Sequence, residues 1–185
     1  RWMARYCRVV APLPRALSVG SLDPRGHWLP TAMDAAFPDD LDKLVRLRKA
    51  DVVINCAAAI PGPVNIRDCE ASRAINAVFP HRLADAVARN GRRLIHLSTD
   101  AVFSGRDGPY SVTDRPDPID SYGRTKLVGE VGGAGIVTVR TTFVGWMSTG
   151  RGLVNWLLDA AGEVTGYRNY LFTPLSLPHL CETLW

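Results

Sequence analysis

The sequence predicts an α/β fold built on a doubly wound parallel sheet, and three observations carry that prediction. Apolar runs of strand length at 51–56, 93–98 and 135–140 are rich in branched residues, the composition of strands buried on both faces. The stretches between them are helical in pattern, so strands and helices alternate. Each connection is long enough to cross over and return in parallel, right-handedly.

Taken in order, 7–13 is expected as a strand and 39–49 as a helix. After the run at 51–56, Ala71, Ala74, Ile75 and Val78 recur at i, i+3, i+4 and i+7, one face of a helix. Asn90-Gly91 closes that helix as a C-cap pair. Pro80 falls inside it and has no N–H to donate, so the helix should kink or restart near Phe79. The segment 104–120 is rich in Gly, Asp and Pro and is expected as a loop. A shorter helix should run from about Ser121 to Val131 and stop at Gly132-Gly133. Beyond Arg140 the pattern is less regular, with a helix expected over 152–161. No internal repeat or low-complexity tract interrupts the chain.

Composition narrows the functional classes. The chain has 185 residues, 46% hydrophobic and 22% charged, ordinary values for one well-buried domain. The longest nearly apolar run, 52–60, is broken by Asn55 and falls short of the roughly 18 apolar residues of a membrane span. No membrane association is expected. The four cysteines lie far apart without a C-x-x-C pair, so neither a zinc site nor a disulfide framework is expected, and a reducing cytoplasm is the default. The net charge of +4 comes from residues 1–50, with nine basic and five acidic side chains. These are scattered singly, with no run of five basic residues, which argues against a nucleic-acid surface. The start carries no apolar signal-peptide core and reads as the interior of a longer chain.

In an open parallel sheet, ligands bind beyond the carboxyl ends of the strands. Ala57-Ala58-Ala59, Thr99-Asp100 and Thr141-Thr142-Phe143 follow the three runs. Small residues there let a flat ring or a ribose approach the backbone. The sharper signal is Tyr122-Gly-Arg-Thr-Lys126 on the short helix, where spacing i, i+4 puts phenol and ammonium on one face. A phenol titrating near ~10 is a poor acid-base catalyst at neutral pH, and a fixed cation nearby lowers that value. Tyr122 could then exchange a proton with a carbinol or carbonyl oxygen that the Thr99 hydroxyl also orients.

Other candidates are weaker. His27, His81, His96 and His179 lack metal-ligand spacing, no metal site is expected, and His96 in a strand is expected as a satisfied core histidine. The three glycines over 145–152 lack the G-K-[ST] ending of a phosphate loop. Cys56 is expected as a small buried residue beside the site.

Ser98-Thr-Asp-Ala-Val-Phe-Ser-Gly105, Pro109-Tyr110, Tyr122-Gly-Arg-Thr-Lys126 and Gly129-Glu130 together resemble the signature of the dTDP-4-dehydrorhamnose reductase branch of the extended short-chain dehydrogenase/reductases. Asp51-Val-Val-Ile-Asn-Cys-Ala-Ala58 and Ile75-Asn76-Ala77 fit it in order and spacing. The resemblance runs from about Ala32 to the end. It implies a partial Rossmann-type NAD(P)-binding domain over 1–145, lacking its first strand, and the beginning of a substrate-binding part over 146–185. By the same resemblance Tyr122 is the proton donor, Lys126 holds the nicotinamide ribose and tunes Tyr122, and Thr99 completes the catalytic set. Ala57, Ala58 and Ala59 line the cofactor, and Asp34, after a strand, sits near its adenine end. Thr99, Asp100 and Phe143 face the sugar, with Arg140 and Asn155 on the substrate side.

The implied activity is reduction of a 4-keto-6-deoxy nucleotide sugar by NADPH or NADH, with a homodimer as the assembly it allows. Two departures stand out. The glycine-rich pyrophosphate loop that opens the family's fold has no counterpart here, the first glycine being Gly20, so the chain is expected to be cut short at both ends. Phe143 stands where the reductases more often carry Trp, which leaves the sugar open. A nucleotide-sugar epimerase or dehydratase of the same superfamily is one alternative. A non-catalytic regulatory subunit like that of methionine adenosyltransferase is the other.

Overall fold

The computed structural model describes residues 17–22, 28–33, 41, 51–59, 72–146, 152–168 and 172–184, the first two stretches by backbone and pairing alone. Strands β3 (Val52–Asn55), β4 (Arg93–Leu97) and β5 (Ile136–Val139) form a three-stranded sheet in the order β3-β4-β5. Both pairings are parallel, with Ile54 opposite Ile95 and Ile95 opposite Val137. All three lie inside the predicted runs, and the parallel sheet is the one foreseen. Burial on both faces is not. β4 alternates, with Leu94 and His96 fully buried, while Val137 on the outer strand β5 is 56% exposed.

Two elements precede this sheet. β1 (Leu17–Leu22) and β2 (Trp28–Met33) pair with each other antiparallel, an arrangement the pattern of apolar residues does not predict. The strand expected over 7–13 lies outside the described residues. Of the helix expected over 39–49 only Leu41 is described; it is helical and buried in the core.

The connection from β3 to β4 shows how Pro80 shapes a helix. A π-helical turn, Ala74–Val78, passes into helix α1 (Phe79–Arg89) with Pro80 in its first turn. Proline has no N–H to give the carbonyl four residues back, which is that of Asn76, and the wider turn absorbs the mismatch. The predicted restart at Phe79 is therefore where α1 begins. Phe79, Leu83, Ala84, Ala86 and Val87 bury one face of α1 against Leu94, Ala57 and Leu41. Each fully buried Leu, Val or Phe contributes about 1.5–3 kcal/mol. Asn90 caps the helix, and Gly91 follows at φ +61°, the left-handed conformation glycine adopts without strain.

Helix α2 (Ser121–Val128) follows the loop and ends at Gly129, one turn short of the expected Val131. Helix α3 (Leu153–Asp159) lies within the range expected over 152–161. Strands β6 (Phe143–Val144) and β7 (Leu175–Ser176) make a separate parallel pair, and helix α4 (Leu177–Leu184) follows directly. Among the described residues no helix is long and apolar enough to cross a membrane.

Candidate active site

The carboxyl end of β4 carries the first part of the site. Leu97 leads into Ser98 and Thr99, both buried, and then into a single 3₁₀ turn, Asp100–Val102. The Thr99 hydroxyl caps that turn by accepting the Ala101 N–H at 3.2 Å and donates to Asp100 Oδ1 at 3.2 Å. Thr142 beyond β5 donates to the same Asp100 oxygen. One carboxylate thus joins the ends of two neighbouring strands.

Helix α2 carries the second part. Asp120 caps it, its carboxylate accepting the Gly123 N–H at 2.6 Å. Lys126 is 1% exposed and its ammonium donates to the Leu97 carbonyl at 2.6 Å. The side chain therefore bridges helix and strand end. Burial pulls its pKa down to about 8, a shift opposed by Cys56 and Glu130. The ammonium still predominates at neutral pH.

Tyr122, one turn earlier, is half-buried. Burial raises its pKa; the Thr99 hydrogen bond works the other way, while Asp100 and Asp120 add to the rise. This corrects the expectation that Lys126 depresses the phenol. Lys126 is committed to the Leu97 carbonyl, so desolvation and two carboxylates decide the direction. The phenol stays protonated at neutral pH.

Tyr122, Lys126, Thr99 and Asp100 are thereby brought together at the ends of β4 and α2. Ala57 is buried beyond β3, whereas Ala58 is exposed and Ala59 half-buried. Phe143 is 53% exposed on β6, directly after the Thr142 that reaches Asp100. Asn155 is buried within the otherwise exposed α3. Asp34 lies outside the described residues. Cys56 is exposed, not buried as expected.

Several residues that hold the site have no role in the sequence reading. Asn76, fully buried in the π-helical turn, accepts the Ala59 N–H at 2.7 Å and donates to the Ala59 carbonyl at 2.9 Å and to Thr125 Oγ1 at 3.1 Å. It pairs with both backbone polar groups of one residue beyond β3 and ties that residue to α2. Gly123 and Gly129 seat that helix. A Cβ at Gly123 would lie 2.2 Å from the Ala101 carbonyl oxygen, and one at Gly129 1.8 Å from that of Asn76. The available signal was Pro80, which frees the carbonyl four residues before it for just such an approach.

His96 completes the floor. Asn55 Oδ1 accepts the Ala57 N–H, which turns its amide N–H toward His96 Nδ1 at 3.0 Å. The proton of the neutral ring is then on Nε2, which is buried and has no partner among the described residues. Histidine 96 is thus a core residue, as expected, but a half-satisfied one. Burial first and Lys126 second lower its pKa to about 4.

This geometry fits the nicotinamide half of a dinucleotide. The buried ammonium at the carboxyl ends of parallel strands suits ribose hydroxyls, and the small residues beyond β3 leave the backbone approachable. Residues 13–165 match the family model described as the RmlD substrate binding domain. The dTDP-4-dehydrorhamnose reductase of Burkholderia thailandensis is 35% identical over 151 residues, covering 77% of this chain and 50% of its own. Among solved structures, a dTDP-4-dehydrorhamnose reductase from Clostridium acetobutylicum superimposes with a TM-score of 0.60 at 30% identity, over 68% of this chain and 46% of that one. One from Bacillus anthracis in complex with NADP gives 0.53 at 27% identity, over 60% and 42%. The chain spans about half the length, or less, of the curated relatives it matches. By the extent of the family match, this chain belongs to the RmlD substrate-binding domain family.

Proposed function

We propose that the full gene product reduces a 4-keto-6-deoxy nucleotide sugar with NADPH or NADH, Tyr122 supplying the proton. The observation that carries this reading is the gathering of a buried Lys126, a half-buried Tyr122 and a capping Thr99 where the carboxyl end of one central strand meets α2. The dinucleotide, when bound, supplies the hydride that reaches the sugar carbonyl carbon.

The chain's own residues do the rest. Lys126 holds ribose hydroxyls while its ammonium stays anchored to Leu97. Ala57, Ala58 and Ala59 leave room for the ring, and Asp34 belongs near the adenine end. Thr99, turning its one hydroxyl proton from Asp100 to the keto oxygen, orients that oxygen toward the Tyr122 phenol. As negative charge grows on that oxygen, the phenol proton moves to it. A raised phenol pKa does not obstruct this direction, because the developing alkoxide is far more basic than a phenolate. Asp100 fixes Thr99, and Phe143 offers an exposed aromatic face to the sugar. Residues 1–145 serve as the cofactor-binding part and 146–185 begin the substrate-binding part, the two being joined across that boundary by the pairing of β6 with β7. A cytoplasmic homodimer is the form in which we place it.

The test is steady-state reduction of dTDP-4-dehydrorhamnose by the full gene product, with cofactor titrations in parallel. Tyr122→Phe should lower turnover by roughly 10²-fold or more while leaving cofactor affinity intact. Thr99→Val should lower turnover with little change in cofactor affinity. Near-normal turnover in Tyr122→Phe refutes the assigned proton donor. A wild-type protein inert toward every 4-keto nucleotide sugar favours a regulatory subunit.

A further inference from the structure

Glu130 stands two residues beyond α2, four after Lys126. Its carboxylate is largely covered, the side chain being 15% exposed and that of its partner Arg140 24%. Oε1 accepts from Ser98 Oγ at 2.8 Å and from Arg140 Nε at 2.9 Å, and Oε2 accepts from Arg140 Nη2 at 2.8 Å. The fork is bidentate, the geometry that fixes orientation as well as distance. Burial alone would raise the Glu130 pKa; Arg140 and Ser98 outweigh it and hold the carboxyl below its usual range.

The partners are informative. Ser98 immediately precedes Thr99. Arg140 immediately follows β5 and stands two residues before Thr142, which donates to Asp100. The guanidinium also lies 5.1 Å from the centroid of the Phe103 ring, which stacks on Tyr110 at 4.3 Å. One carboxylate therefore gathers the end of α2, the end of β4, the end of β5 and the loop that follows the 3₁₀ turn. Arg140 makes its bidentate ion pair at this junction.

We propose that Glu130 is a positioning residue of the reaction: by gripping Ser98 and Arg140 together it fixes the strand end bearing Thr99 against the helix bearing Tyr122 and Lys126. This rests on the reductase reading above. The grip is specific to a glutamate. An aspartate is one methylene too short to reach both partners, and a glutamine keeps an acceptor for Ser98 but turns an N–H₂ toward the guanidinium.

Two measurements on the full gene product decide it. The first needs no activity. With ¹³C at lysine Cε, and Lys126 identified by its loss in Lys126→Met, the Lys126 titration is followed in wild type, Glu130→Gln and Arg140→Met. A carboxylate held close and fixed makes the two variants move Lys126 in opposite directions, down in Glu130→Gln and up in Arg140→Met. A merely structural staple loosens the site in both, so both move up toward the solvent value near ~10.4. That result overturns the proposal.

The second is kinetic, at a temperature where circular dichroism shows each variant folded. Glu130→Gln should lose roughly tenfold or more in kcat with KM within about threefold, since alignment rather than binding is lost. Ser98→Ala keeps the ion pair and should lose a smaller, measurable share of kcat without a lower Tm. Unchanged kcat in both variants overturns the positioning role. A wild-type protein without turnover refutes the reductase reading, and the lysine titration then decides the Glu130 grip by itself.

Discussion

Gly129→Ala sets two effects of opposite sign against each other. Gly129 has φ −84° and ψ 0°, a right-handed conformation open to any residue. By intrinsic propensity alone, alanine at a helix end should stabilise by up to ~1 kcal/mol. Against this, the new Cβ would stand 1.8 Å from the Asn76 carbonyl oxygen, 2.9 Å from its carbon and 3.2 Å from Pro80 Cγ. Contacts of this kind settle near ~3.5 Å, so the end of α2 must retreat by more than an ångström. The obstacle is backbone, locked by Pro80 and by the Asn76 side chain, and cannot swing aside. Overpacking of this sort costs about 1–3 kcal/mol, and a rigid obstacle puts it toward the upper end.

The contact outweighs propensity, and the net loss should be about 2 kcal/mol. For a domain of this size that lowers Tm by about 4–8 °C. Turnover should fall further than stability suggests, because a displacement near 1 Å at Lys126 and Tyr122 costs on the order of 10²-fold. Thermal melts and urea titrations beside Gly132→Ala supply the assay. The latter introduces a Cβ with nothing within 4 Å and should melt like wild type. If Gly129→Ala melts at or above wild type, the seating of α2 on the π-helical turn is wrong.

Three further outcomes follow from the same geometry. His96 titrates near 4 in the fold against 6.5 for the free side chain; a depressed pKa stabilises above the free value and that stability is lost as pH falls from 6.5 to 4. Up to about 3 kcal/mol is at stake, and His96→Leu should flatten the urea-derived stability profile over that window; an unchanged slope would mean another group drives acid unfolding. Lys126→Met should be neutral or stabilising by ~1–2 kcal/mol at pH 7, because losing a buried charge offsets the orphaned Leu97 carbonyl. The gain should shrink as pH rises from about 8 toward 10.5, where native wild type is already neutral, and loss of stability at pH 7 would refute the desolvation argument. Asn76→Ala strands both backbone polar groups of Ala59 and should cost about 3 kcal/mol, with faster amide hydrogen exchange at Ala59; an unaltered exchange rate would show the pairing to be dispensable.

What the sequence disclosed and what it hid divide along physical lines. Strands β3, β4 and β5 were legible because each is a short run dominated by branched apolar residues, and α1 because its apolar residues recur with helical period. Tyr122, Lys126, Thr99 and Asp100 were legible as types in a spacing. The direction of the Tyr122 pKa was not, since it depends on where the Lys126 ammonium points, and Leu97 supplies a carbonyl that no side-chain motif records. The antiparallel pairing of β1 with β2 was hidden because neither segment alternates clearly. The roles of Asn76, Gly123 and Gly129 escaped because their contacts are mostly with backbone groups, which a pattern of side chains does not record.

Those backbone contacts explain why α2 exists at all. Eight residues are too few for a helix to persist alone in water, and this one carries Gly123 in its interior at a cost of about 1 kcal/mol. Only Gly123 and Lys126 within it are buried, so no apolar stripe holds it down. Its support comes from single polar attachments: Asp120 at the N-terminus and Thr125 through Asn76, with Glu130 just past its end joined to Arg140 and Ser98. Those of Thr125 and Glu130 run to the π-helical turn and to the ends of β4 and β5. The helix that bears the phenol and the ammonium therefore becomes helical only as the sheet ends come together, and the same bonds that make it fold set the distances its chemistry requires.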